Sequence, residues 1–298
     1  MKYQTTIDTV SLKIDFIFED TRDVILEGIL ALYTKDNFYI AHKEYLTSQH
    51  SNFYISKHHV YSNNVVIASI GEGSFSVKSR VTNDVITTYY ISLEFAGLMR
   101  YNQVQDTISN NILVKTCAYL NTRHIVYGLN GLDVCMDLYT EFDNVLALCT
   151  KKSPKTEYYM ANEPQPFATT SYIEKVPYGK HSVAVQRSYL YDKSEKENLA
   201  YNLTRFEVKL QSKFFSKNRD NVILGIINAL EKYHVMYVPL KAQKNHLMQQ
   251  YDMQTTLRQR DIKRLKLDSY KCYPDISAVA GFINHLFSVQ EREVFMNV

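Results

Sequence analysis

The chain has 298 residues, 45% hydrophobic and 22% charged, with a formal net charge of +3. That is ordinary globular composition, enough for one large core or a main domain with a smaller one, and it excludes disordered or collagen-like classes. The cysteines Cys117, Cys135, Cys149 and Cys272 have no CxxC spacing and no paired histidine motif. This excludes a zinc-finger or disulfide framework and predicts a reducing, cytoplasmic setting.

Residues 5–18, TTIDTVSLKIDFIF, alternate and are β-branched, so they predict a first strand. Asp8 and Asp15 interrupt the N-terminus, which lacks the apolar run of a signal peptide. In 20–35, Val24, Ile25, Gly28, Ile29 and Leu32 fall at helical spacing, with Asp20 or Thr21 as the expected N-cap. From 37 to 95 the chain is tyrosine-rich and strand-like, with NN, GEG and ND read as turns. Residues 103–122 predict a helix; after a YGLNG turn, GLDVCMDLYTEF predicts a strand. Residues 151–167 gather Pro154, Pro164 and Pro166 and read as a loop or insertion.

Strands are then predicted at 182–193 and 203–211, with a short helix or turn between them. From about 218 the pattern is helical: DNVILGIINALEKY, a basic stretch LRQRDIKRLK (257–266), and a closing helix over 276–295. No window approaches the roughly 18 apolar residues of a membrane helix, so no membrane partner is expected. The predicted fold is α+β, a central antiparallel sheet with helices packed on one face, as a domain over 1–215, followed by a helical, basic region over 216–298.

Charge and aromatic content point to partners. Residues 1–150 hold 11 Lys/Arg against 16 Asp/Glu, whereas 205–272 hold 14 against 6. That asymmetry predicts a polyanion contact in the C-terminal half, against the plainer reading of a lysine-rich solvated surface. The 24 tyrosines and 14 phenylalanines, with no tryptophan, suit half-buried sheet positions and also stack on bases.

Residues two apart in a strand share a face. Asp133, Cys135 and Asp137 therefore face one way. Arg205, Glu207 and Lys209 oppose Phe206, Val208 and Leu210, and Arg187, Tyr189, Tyr191 and Lys193 line up together. An antiparallel sheet with one side in water explains this alternation without any activity.

The ordered segments IDTVSLKIDF, ISLEFAGLMRYN, GLDVCMDLY, YLYDKSEKEN and LTRFEVKL, within residues 7–210, are similar to rolling-circle replication initiators of filamentous phages and small plasmids. The resemblance implies a metal-dependent tyrosine nickase. A tyrosine oxygen attacks a DNA phosphodiester, leaving a 5′-phosphotyrosine and a free 3′-OH. It implies Tyr191 as nucleophile with Tyr189 as runner-up, Lys193 near the phosphate or the phenol, and Glu207 as metal ligand or general base. Asp133 or Asp137 would be a further ligand; four residues along a strand span roughly 13 Å, so both cannot hold one ion. The implied ion is Mg²⁺ or Mn²⁺, which oxygen ligands favour.

The expected DNA contacts are Arg187, Arg205, Arg258, Arg260, Lys263, Arg264 and Lys266, and the expected partners are a single-stranded or hairpin origin with host helicase and polymerase. Arg205 pairing with Glu207 is the alternative to a phosphate contact. One departure stands out. Many rolling-circle nickases carry a His-hydrophobic-His strand, whereas His58 and His59 here are adjacent and point to opposite faces. The competing functions are a mobile-element relaxase with the same chemistry, a non-catalytic DNA-binding initiator or repressor, and an RNA-binding sheet protein.

Overall fold

The computed structural model describes residues 1–44, 56–79, 83–98, 106–149, 159–160, 170–172, 186–219, 221–240, 243 and 271–287. The class is α+β, as the alternation predicts. The chain divides into two compact units. One comprises Met1–Ile7 and Asp133–Phe282, the other Asp8–Leu132 and Ile283–Val298. This division does not coincide with the expected boundary near residue 215.

In the Asp8–Leu132 unit, the strands are β1 (Tyr3–Phe16, from Asp8 on), β2 (Tyr39–Glu44), β3 (Ser56–Ser62), β4 (Val65–Lys78) and β5 (Val85–Ala96). They lie in the order β2-β3-β4-β5-β1, each paired antiparallel to its neighbour. On β1, Val10, Leu12, Ile14 and Phe16 are buried while Lys13 and Asp15 on the other face are not, which is the period-2 pattern the sequence shows. Helix α1 (Glu19–Lys35) buries Ile25, Leu26, Ile29 and Tyr33, spaced to fall on one helical face. Helix α2 (Asp106–Thr122) packs against it, and Tyr33 Oη shares a 2.6 Å hydrogen bond with Thr116 Oγ1.

Two local expectations fail here. The N-cap of helix α1 is Phe18, two residues earlier than Asp20 and with no side-chain cap, so neither Asp20 nor Thr21 serves. The GEG segment is not a turn, because β4 runs straight through it. Gly73 is there for close approach: a Cβ would lie 2.5 Å from the Tyr90 hydroxyl of the neighbouring strand. The expected NN turn does form: Asn63 and Asn64 are both at positive φ, as a tight type I′-like hairpin requires.

In the other unit, the 133–138 part of β6 (Gly128–Leu138) leads the order β6-β11-β10-β9-β8. Here β8 is Tyr159–Met160, β9 Thr170–Tyr172, β10 Gln186–Asp192 and β11 Thr204–Gln211. A second sheet has the order β13-β12-β7, with β7 Val145–Cys149, β12 Tyr233–Tyr237 and β13 Lys271–Cys272. The helices are α3 (Lys193–Glu197), α4 (Ser212–Lys217) and α5 (Val222–Glu231); α6 (Ile276–Leu286) follows near the C-terminus.

The expected YGLNG turn is instead the start of β6, whose glycines sit within the strand. The region after 216 contains the expected helices α5 and α6, but also β12, paired along its length with β7. The 151–167 loop falls outside the described residues except for β8. So does the basic stretch with Arg258, Arg260, Lys263, Arg264 and Lys266.

Candidate active site

Strands β10 and β11 pair antiparallel in a register that sets Arg187 opposite Lys209, Tyr189 opposite Glu207 and Tyr191 opposite Arg205. These six side chains share one face, because directly opposed residues in a ladder project the same way. The other face carries Leu190, Phe206, Val208 and Leu210, all buried. It packs towards α5 and β12: Phe206 meets Tyr233 edge-on at 5.3 Å, and Gln186 Nε2 donates to Ala229 O and to Tyr233 Oη. The hydrophobic back is therefore what aims the polar row forward.

That front is dry towards Glu207 and Arg205, while Arg187, Tyr189 and Lys209 remain part-exposed. Glu207 is 6% exposed and Tyr191 7%, and Arg205 and Asp137 are fully buried. Tyr191 Oη donates a 2.8 Å hydrogen bond to Glu207 Oε2. Lys196 of α3 lies over the Tyr191 ring at 4.8 Å from its centroid. Glu207 Oε1 is 3.6 Å from Lys209 Nζ, which in turn sits 2.8 Å from Asp133 Oδ2. Asp133, Lys209, Glu207 and Tyr191 thus form a continuous chain of alternating charge ending in a phenol.

Electrostatics separates the two tyrosines. Burial pushes the Tyr189 phenol above its ordinary range, and the Arg187 hydrogen bond and charge, with Lys209, only partly offset it. Tyr191 has Glu207 Oε2 at its proton, whereas Tyr189 hydrogen-bonds with Arg187. Burial alone would lower the Lys209 ammonium, but Asp133 and then Glu207 outweigh it and hold it above the usual lysine range. Arg187 Nε is buried and finds no hydrogen-bond partner, so a donor on this face is unmet.

Three expected roles change. Arg205 turns to Asp137. Its Nε and Nη2 donate to the two carboxylate oxygens of Asp137 at 2.7 and 2.9 Å, in a wholly buried fork. Asp137 is accordingly occupied on both oxygens and is not arranged as a metal ligand. Lys193 does not continue β10. Asp192 ends the strand and caps α3, accepting from Glu195 N at 3.0 Å, so Lys193 becomes the first helical residue and pairs with Glu197 at 2.9 Å.

The divalent ion also fails a test of fit. Asp133 and Glu207 converge, but on the ammonium of Lys209, which stands where a cation would be held. Among the described residues no three His, Cys, Asp or Glu side chains gather as a metal cage. His58 stacks on His42 at 4.5 Å and His59 Nδ1 meets Ser69 Oγ at 2.9 Å, on opposite faces as their adjacency requires. Sequence reasoning put Lys209 on the correct face but gave it no part; its position two residues from Glu207 was the available signal. Lys196 carried no signal, since helix placement brings it in.

No family model and no curated protein matches the chain. Among solved structures it is similar to a rolling circle replication initiator protein from Geobacillus stearothermophilus. The match covers 97% of each chain at 12% identity, with a TM-score of 0.42. A likeness that loose carries no weight for function. Among the described residues no helix is long and apolar enough to cross a membrane.

Proposed function

We propose that this chain is a DNA-nicking and -rejoining protein of the replication-initiator kind, with Tyr191 as its nucleophile. The observation that carries the reading is the 2.8 Å hydrogen bond from Tyr191 Oη to Glu207 in a buried setting, with Lys209 beside that carboxylate. A phenol is a weak nucleophile at neutral pH and needs a base at its proton. Glu207 Oε2 is at general-base distance.

In the proposed step, Tyr191 Oη bonds to phosphorus as its proton passes to Glu207, and the P–O3′ bond breaks. The 3′-oxygen leaves with the electron pair and takes up a proton, giving the free 3′-OH that a polymerase extends. The phosphate remains as a 5′-phosphotyrosine whose energy serves later rejoining. Lys209 and the unmet Arg187 donor supply positive charge towards the phosphoryl oxygens. No step is routed through a metal ion, because the carboxylates present are already engaged by Lys209 and Arg205.

The deciding experiment is mass spectrometry of protein incubated with single-stranded origin oligonucleotides, with and without Mg²⁺ or Mn²⁺. A DNA adduct on Tyr191 that disappears in Tyr191→Phe is the expected result. Undiminished cleavage by Tyr191→Phe, or an adduct on another residue, overturns the assignment. The 7% exposure of Tyr191 favours a second reading, a non-catalytic DNA-binding initiator. Salt-dependent binding with no adduct under any condition would decide for it.

A further inference from the structure

Just past β6, Tyr139 faces a partner that comes from the loop between α3 and β11. Its ring and that of Tyr201 are nearly parallel, 24° apart in plane, with centroids 6.2 Å apart. Contacting carbon atoms sit about 3.5–4.0 Å apart, so a third flat ring held between two others needs a separation of about 7 Å. At 6.2 Å the two rings are an ordinary directly stacked pair, so a base enters only as they part. They border a cavity of about 520 Å³ whose remaining lining is Thr140, Glu141, Asn144 and Asn202.

The walls differ in firmness. Gln4 Nε2 donates a 3.0 Å hydrogen bond to Tyr139 Oη, and the Lys2 ammonium lies 5.1 Å from the centre of the same ring, so Tyr139 is pinned. Tyr201 is 46% exposed on its loop and is the wall that swings outward to admit a base. Aromatic faces take any base, whereas the edge chemistry of two asparagine amides and a carboxylate suits an edge bearing both donors and acceptors. A nucleobase is flat and has such an edge. Burial does not explain Tyr201 either, since nearly half of its surface remains in solvent.

The slot lies close to the proposed nucleophile. Thr204 Oγ1 donates to Thr140 O at 3.0 Å, and Thr204 pairs with Asp192, the residue next to Tyr191. We propose that Tyr139 and Tyr201 hold one unpaired nucleobase, taken from the strand whose phosphate meets Tyr191. Base capture stands on the cavity itself; only its placement beside a reacting phosphate rests on the function proposed above.

The test uses the full chain, a single-stranded 12-mer and each of the four deoxynucleoside monophosphates, with binding read by anisotropy for the 12-mer and saturation-transfer NMR for the mononucleotides. Tyr201→Ala should weaken 12-mer binding about tenfold or more, while Tyr201→Phe, which keeps the ring, binds like wild type. An abasic position scanned along the 12-mer should produce the same loss once, and no further loss in Tyr201→Ala.

Mononucleotide signals that vanish in Tyr201→Ala also support base capture and identify a free nucleotide as a second source of the base. Binding by Tyr201→Ala within twofold of wild type for all probes overturns the proposal, even if a Tyr191 adduct forms. Tyr201-dependent binding with no adduct supports the slot and rejects the nicking chemistry.

Discussion

The buried fork between Arg205 and Asp137 makes the sharpest prediction, because its worth and its role can be separated. Both side chains are fully buried, joined by two hydrogen bonds of 2.7 and 2.9 Å. Asp137→Asn leaves the guanidinium charge without its counter-charge in a dry site, a change that costs about 3–5 kcal/mol. Against typical stabilities of about 5–15 kcal/mol that is about a fifth of the total or more. At a urea slope of about 2 kcal/mol per M, a loss of 4 kcal/mol moves the unfolding midpoint by about 2 M.

The double variant Asp137→Leu with Arg205→Met removes both charges and fills similar volume, so it should recover much of that loss. Urea titrations of the single and double variants, read as a double-mutant cycle by circular dichroism, measure this. A cost below about 1 kcal/mol for Asp137→Asn, or a double variant as unstable as the two single losses added together, refutes the reasoning. The same residues test the role. An arginine bound to phosphate of a single strand contributes about 0.7 to the logarithmic salt dependence of binding. Arg205→Lys should leave that slope unchanged while lowering stability, since lysine cannot reproduce the two-point fork.

Lys209 should give a pH signature. Its folded pKa is raised above the unfolded value near 10.5, so its stabilisation is complete below about pH 10.5 and is lost as pH rises through the higher folded value. Lys209→Met should erase that alkaline segment of the thermal-midpoint curve. It should also leave Asp133 and Glu207 facing one another, so that added Mg²⁺ or Mn²⁺ raises the variant's midpoint but not the wild type's; equal responses would contradict the placement.

In the Asp8–Leu132 unit, a Cβ on Gly28 would meet Tyr119 Oη at 1.7 Å. Gly28→Ala gains about 1 kcal/mol of helix propensity but should lose about 1–3 to overpacking, a net fall in calorimetric midpoint. Tyr119→Phe removes a buried hydroxyl that has no hydrogen-bond partner, and in combination should restore part of the loss, since Cζ of that ring would still lie 2.6 Å from the new Cβ. A midpoint for Gly28→Ala at or above wild type would show that the ring moves freely.

Much of the scaffold was legible because alternation is a local property. Val10, Leu12 and Ile14 on β1, and Phe206, Val208 and Leu210 on β11, are buried on the side their spacing indicates. The shared face of Tyr189, Tyr191, Arg205 and Glu207 was legible for the same reason. The errors came from residues with two local meanings. Glycines in GEG and YGLNG resemble turn formers, yet here they lie inside strands, and Gly73 makes room for Tyr90 across the ladder. Asp192 reads as one more strand residue until its carboxylate caps the next helix.

The sequence by itself determined which residues could meet, since a two-residue period sorts side chains onto faces wherever a strand forms. It could not determine partners across the sheet, because those depend on strand order and register, which join segments far apart in the chain. Tertiary structure alone decided that Arg205 belongs to Asp137, that Lys209 sits between Asp133 and Glu207, and that Tyr191 has a carboxylate at its proton. It also decided that the part of the polar face around Arg205, Glu207 and Tyr191 is dry. Desolvation turns these pairings from surface decoration into strong interactions, and it is set by what packs over a residue, which no local pattern encodes.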